Sequence, residues 1–362
     1  MSSTPSLYYR DYLQLEKLLD AQELESAKEG TTAHDEMLFI IVHQAYELWF
    51  KQILWEMDAV QALFDQQVVE EWEVGRAVAH LDRIIVIQRV LIDQIDVLET
   101  MTPLDFLDFR DYLIPASGFQ SLQFRLVENK LGMRPRQRLM IGETPYKARF
   151  KEEDRAILKA SEAEPSLFDL INRWLGRTPF LNFGDFDFWQ AYHEAVDAML
   201  AKDRRSIEDN PTLLPEKKEA QLASLEVTAE QFEALFDAEK YEHLLENGTF
   251  HLSHKALQAA LLINLYRDEP ILQLPFRLLA ALMDIDENFT KWRHRHALMV
   301  LRMIGRKIGT GGSTGHDYLR QTAEEHKVFS DLFRLSTFYI PRSALPTLPE
   351  GVRQAMGFRY SG

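Results

Sequence analysis

The sequence predicts an all-α protein, and three observations carry that expectation. Apolar residues recur at three- and four-residue spacings through most of the chain. No segment alternates apolar and polar residues in the manner of a half-buried strand. The most β-branched stretch, Val69 to Glu99, is far too long for a strand and keeps helical spacing through Val86, Ile87, Val90, Leu91, Ile95 and Leu98.

In order, Tyr8 to Lys28 reads as a helix with Leu13, Leu15, Leu18, Leu19 and Leu24 as its stripe. Tyr8, Tyr9 and Tyr12 crowd its first turn. Termini are mobile unless tied down, so three tyrosines there favour an arm docked on a neighbour. Thr31 to Asp35 is a loop ending in an N-cap. The next helix runs from Glu36 past Phe64, with Leu38, Ile41, Val42, Ala45, Leu48 and Trp49 as its expected core stripe. Phe39, His43 and Phe50 form a second, aromatic face, with Phe39 and His43 an i,i+4 pair. Such a face is either more core or the wall of a pocket between helices.

Thr102-Pro103-Leu104-Asp105 is a strong helix start, with Thr at N-cap, Pro at N1 and an acid at N3. This helix carries Phe106 and Arg110 at i,i+4 and must stop before Pro115. Arg110 is either half of a surface ion pair, with Asp108 or Asp111, or a guanidinium beside an aromatic, ready for a carboxylate. Ala116-Ser117-Gly118 is a turn, and Phe119 begins a helix reaching Gly132. Pro135, Pro145, Pro165 and Pro179 cut the middle third into short pieces. Pro211 to Gly248 is a charged, solvated helical arm or hairpin. Further helices are expected over His251 to Arg267, Leu274 to Lys307 and Tyr318 to Phe333, followed by an extended, proline-containing tail.

Lys plus Arg number 41 and Asp plus Glu 56, a net charge of −15. So acidic a chain is poorly matched to nucleic acid or an anionic membrane surface and suits a cytoplasmic protein. No signal peptide is visible, and no apolar run reaches the length of a membrane span. The absence of cysteine excludes disulfides, a cysteine nucleophile, iron–sulfur clusters, cysteine zinc sites and a thiolate-bound haem.

The stretch Lys291 to Gly315 concentrates the chemistry. Trp292, His296, Met299, Val300 and Met303 share one helical face, so an imidazole stands inside an apolar stripe. It is either a core histidine satisfied by one hydrogen bond or a metal or haem ligand, and the walls of Met and Trp suit a haem. His294 lies two residues away and points elsewhere, towards solvent. The run Gly309-Thr310-Gly311-Gly312 then puts a hydroxyl on a freely bending backbone. It follows a helix and lacks Gly-Lys-Ser/Thr, so it is not a phosphate loop.

Taken together, several motifs resemble the haem-dependent tryptophan 2,3-dioxygenase family: His34-Asp35-Glu36-Met37-Leu38-Phe39-Ile40-Ile41-Val42-His43-Gln44, Asp108-Phe109-Arg110-Asp111-Tyr112-Leu113, Pro115 to Arg125, Trp292-Arg293 with His296, and Gly309 to Gly315. Leu332 to Thr337 and Ile340-Pro341-Arg342 are similar to the larger, animal-like branch. The resemblance spans most of the chain and implies one helical domain over 1–362. Residues 1–30 would form an arm and helix docking on a neighbouring subunit, and 207–248 a charged helical arm.

It further implies that His296 is the axial ligand of haem b, active as Fe2+, and that Ser117 and Gly118 lie close to the haem. His43 would stand beside the indole nitrogen, Phe39 and Phe106 would wall the ring, Arg110 would pair with the substrate carboxylate, and Thr310 would hold the ammonium and carboxylate end. Tyr9 and Tyr12 would complete a neighbouring subunit's pocket in a homotetramer, a dimer of dimers. The implied reaction opens the indole 2,3-bond of L-tryptophan with O2 to give N-formyl-L-kynurenine. Two alternatives stay open on the sequence: a relative acting on a modified tryptophan in a biosynthetic pathway, and a non-catalytic haem-binding helical protein.

Overall fold

The computed structural model describes residues 6–134, 138, 146–305 and 315–358, with backbone alone at 315–318 and 324. It is all-α. Among the described residues the only sheet is a two-residue hairpin, Asn182–Phe183 paired with Phe186–Asp187 through Gly184 at φ +60°. No described helix is long and apolar enough to cross a membrane.

The chain forms two compact units. The first contains Met1–Trp55, Val86–Glu164 and Asn288–His326; the second contains Glu56–Ile85, Pro165–Glu287 and Lys327–Gly362. Three long helices, Glu36–Phe64, Glu71–Leu98 and Gln273–Ile304, contribute residues to both.

In the first unit the Glu36 helix starts on a buried carboxylate. Glu36 accepts hydrogen bonds from the main-chain N–H of Glu25 at 2.8 Å and of Ser26 at 3.0 Å, and from the Ser26 hydroxyl. A buried carboxylate is tolerated only when so satisfied. The turn Glu25–Lys28 is thereby pinned to the helix start. The same helix is tied to the Glu71 helix twice: Tyr46 donates to the Leu91 carbonyl at 2.8 Å, and Gln94 to the Val42 carbonyl at 2.9 Å.

The second unit is built around His254–Leu265, where Ala256, Leu257 and the run Ala259 to Ile263 are all buried. Tyr192 and Tyr241 reach main-chain carbonyls of Phe338 and Leu252, so these large rings bury no unpaired hydroxyl.

Four expectations need correction. Tyr8 to Lys28 is not one helix but three short ones, Tyr9–Tyr12, Leu15–Leu19 and Glu25–Lys28. Gln14 sits at φ 52°, a left-handed conformation that no helix interior accepts, and its side chain caps the Asp11 carbonyl. On the Glu36 helix the expected core stripe is largely wrong. Ile41, Leu48 and Trp49 are exposed, and the inward face is Val42, Tyr46, Phe50 and Ile53. Apolar spacing alone cannot tell which of two stripes turns inward. The charged arm also ends in the core, for Phe232, Leu235 and Tyr241 are buried. Finally, Tyr318 to Phe333 is broken: one helix covers Gly315–Glu325 and another Ser330–Arg334. Within the second unit the buried Asp286 carboxylate takes the N–H groups of Val328 and Phe329 at 3.2 and 2.6 Å, which diverts the backbone from the helical ladder.

Candidate active site

A cavity of about 270 Å³ lies within the first unit. Its walls come from the Glu36 helix, the end of the Glu71 helix, Pro103–Arg110, the 117–121 turn, Leu122–Leu131 and the last turns of Gln273–Ile304. Phe39, His43, Phe106, Arg110, Ser117, Gly118 and His296 all line it. Sequence spacing had only suggested shared faces; here seven of the ten singled-out residues meet around one space. Tyr9 and Tyr12 do not line it, and stand 75% and 70% exposed. Thr310 and the glycine run around it lie outside the described residues.

Each side chain has a local reason for its position. Thr102 and Asp105 form the expected reciprocal cap, with the Asp105 N–H donating to the Thr102 hydroxyl oxygen and the Thr102 N–H to the Asp105 carboxylate at 3.0 Å. That cap fixes the short helix on which Phe106 and Arg110 sit one turn apart. Ser117 and Gln120 cap each other in the same way, setting Ser117 and Gly118 at the cavity edge.

Phe39, Phe106 and Phe109 pack against one another, Phe109 edge-on to the other two, at centroid distances of 5.4 to 5.7 Å. His43 lies against Phe39 at 4.1 Å. Its Nδ1 is 2.7 Å from the Phe39 carbonyl oxygen. A carbonyl only accepts, so Nδ1 carries the proton and Nε2 is left as an acceptor. Burial lowers the His43 pKa, against opposing contributions from that hydrogen bond and from Glu47. The ring is therefore neutral at pH 7.

His296 is flanked by Trp292, its ring 5.4 Å away and nearly parallel. Trp292 in turn packs on Phe124 at 5.2 Å and on Tyr46 at 6.0 Å. Burial, with a smaller contribution from His43, lowers the His296 pKa to about 4. Its Nδ1 is buried with no hydrogen-bond partner among the described residues. A core histidine satisfied by one protein hydrogen bond does not look like this. No group of three or more His, Cys, Asp or Glu among the described residues could hold a bare metal ion. A neutral imidazole with an unpartnered nitrogen on an apolar wall fits a haem, which His296 would hold.

Behind His296, the buried Arg293 donates to the Glu128 carboxylate at 2.9 Å and to the His326 carbonyl at 3.0 Å. Glu128 also receives Arg125 at 2.8 Å, and Arg138. Burial alone would raise the Glu128 pKa, but the guanidinium groups hold it well below the usual carboxylate range. This network fixes the rotation of the helix one turn before His296. Arg110 is half-buried, lies 3.4 Å from the Asp111 carboxylate and also lines the cavity, so the ion pair and a place at the cavity occur together.

The chain matches the family model described as tryptophan 2,3-dioxygenase over residues 1–339. It is 52% identical to the tryptophan 2,3-dioxygenase of Bdellovibrio bacteriovorus, covering 98% of this chain and 99% of that one. Identity is 48% to that of Dictyostelium discoideum, over 99% and 90% of the two chains, and 50% to that of Xenopus laevis, over 98% and 87%. The chain belongs to the tryptophan 2,3-dioxygenase family. It is an enzyme, a dioxygenase acting on tryptophan.

For a member of this family the cavity has the needed contrasts. Phenyl rings suit an indole, a hydrogen-bond acceptor suits its N–H, and a guanidinium suits an amino acid's carboxylate. Sequence reasoning missed Glu47, Tyr46, Phe124 and Ser121, which also line the cavity. Glu47 was within reach, since it stands four residues after His43 on the face already assigned to a pocket. Tyr46 was equally within reach, three residues after His43 and four before Phe50, whereas no spacing tied Phe124 and Ser121 to that face.

Proposed function

We propose that the chain holds haem b, active as Fe2+, on His296 and adds both atoms of O2 across the indole 2,3-bond of L-tryptophan. The product is N-formyl-L-kynurenine, the first step of tryptophan catabolism by the kynurenine pathway. The observation that carries this reading is the neutral imidazole of His296, its Nδ1 without a partner among the described residues, on the same cavity as His43 and Arg110. When bound, the haem supplies the redox centre that activates O2.

The other roles belong to the chain's own residues. Phe39 and Phe106 exclude water and hold the indole plane. His43 Nε2 accepts the indole N–H and orients the ring. Arg110 pairs with the carboxylate, which selects α-amino acids. Thr310 holds the ammonium and carboxylate end, and Ser117 and Gly118 lie against the haem. The working enzyme is a cytoplasmic homotetramer, a dimer of dimers, with 1–362 as one catalytic domain in each subunit. Tyr9 and Tyr12 of the 1–30 arm complete a neighbour's pocket, which agrees with their exposure in the single chain.

The test is anaerobic reduction of the haem-loaded protein, addition of tryptophan and then 18O2. Absorbance of N-formylkynurenine should grow, and its mass should carry both labelled atoms. A product with one labelled atom, or no product, overturns the reading.

A further inference from the structure

Glu47 has no part in the chemistry described so far, yet it lines the cavity one helical turn beyond His43. Its carboxylate is held still. Ser121 donates its hydroxyl to one oxygen at 2.6 Å, and Gln123 Nε2 donates to the other at 2.9 Å. Gln123 also reaches the Glu47 main-chain carbonyl at 2.8 Å. Ser121 is itself fixed, because its Oγ accepts the Phe124 N–H at 3.2 Å and so caps the Leu122–Leu131 helix. Among the described residues Glu47 is in no ion pair. Arg125 and Arg293, which line the same cavity, are hydrogen-bonded to Glu128 instead.

Resting on the tryptophan reading above, we propose that Glu47 is a positioning residue whose fixed negative charge strengthens His43 as the acceptor of the indole N–H. The His43 tautomer makes this possible. With Nδ1–H committed to the Phe39 carbonyl, the lone pair of Nε2 is what the substrate meets. As O2 draws electrons from the indole 2,3-bond, the indole N–H becomes more positive, and the hydrogen bond to His43 passes part of that charge to the imidazole. A carboxylate on the same helix face stabilises it. The direction agrees with the contribution of Glu47 to His43, which opposes the effect of burial. Residues at i,i+4 stand about 6 Å apart. A half-unit change of charge at that distance, at an effective dielectric of about 20, is worth about tenfold in rate.

The test uses the haem-loaded enzyme. Glu47→Gln keeps the shape and an acceptor for Ser121 but removes the charge. It should lower kcat about tenfold, with the Soret band and the KM for tryptophan unchanged. In a His43→Ser background the same change should have no further effect, because the charge then has no imidazole to act on. Ser121→Ala, which keeps the charge but loosens it, should lower kcat less. Wild-type kcat in Glu47→Gln overturns the proposal, as does an equal loss in both backgrounds. Loss of the Soret band in Glu47→Gln makes the residue a structural tether and overturns it too. A wild-type enzyme that leaves tryptophan intact defeats the proposed function, and this proposal with it. An active wild type beside an unaffected Glu47→Gln defeats this proposal alone.

Discussion

Arg110 sits one turn past Phe106 on a helix of eight residues, half-buried and lining the cavity. A charged hydrogen bond lost in such a place costs about 1.5–3 kcal/mol, or roughly ten- to a hundredfold in affinity. Arg110→Ala should therefore raise the tryptophan requirement by about that factor with the haem spectrum intact. Unchanged tryptophan affinity in a binding titration would remove Arg110 from the site. His296 offers a second test. Its folded pKa of about 4 lies below the unfolded value of about 6.5. Between these the unfolded chain binds more protons than the folded one, so stability rises with pH. Thermal melting of the haem-free protein should fall as pH drops from about 6.5 towards 4, and less steeply in His296→Leu. Equal pH slopes for the two proteins would contradict the shift.

At the scale of elements, the Thr102 cap was legible in the sequence because its chemistry is local. The hydroxyl, the proline and the acid each act within four residues. Thr102→Ala should cost about 1 kcal/mol in a denaturant melt and raise the KM for tryptophan, since Phe106 and Arg110 ride on that helix. A melt identical to wild type would show that the helix is held by packing alone. The same locality made the long helices readable, although the last of them ends at Ile304 and not at Lys307 as expected. What escaped was everything set by partners distant in the chain. The rotation of the Glu36 helix depends on Tyr46 meeting Leu91 and Glu47 meeting Ser121. The break after Glu325 precedes a segment whose path depends on Asp286, some forty residues earlier. Seven of the ten residues singled out line the cavity, and they were picked through likeness of motif. Spacing alone left His296, His43 and Arg110 each with an ordinary structural reading.

For the molecule as a whole, the misassigned stripe acquires a use. Ile41 and Leu48 on one helix, Val86, Val90 and Val97 on another, and Leu298 on a third are exposed in the single chain. Rows of this kind are what an oligomer covers, in line with the proposed tetramer. Deleting residues 1–12 should therefore leave the helical circular dichroism of the protein in place while activity falls. Full activity of the truncated protein would refute the docked arm. Light scattering of the same variant reports whether the arm also holds the assembly together.

The bond from His43 Nδ1 to the Phe39 carbonyl has one more consequence. A proton relay needs an exit, a second group that can take a proton on the far side of the ring. An amide carbonyl inside a helix is a dead end for protons. Anything His43 receives at Nε2 must be given back through Nε2, to the same molecule that offered it. The imidazole can lean on the indole proton but cannot carry it off. Turnover measured in heavy water should then show a kcat isotope effect close to one. A large normal effect would mean that the ring turns over during catalysis and breaks its bond to Phe39.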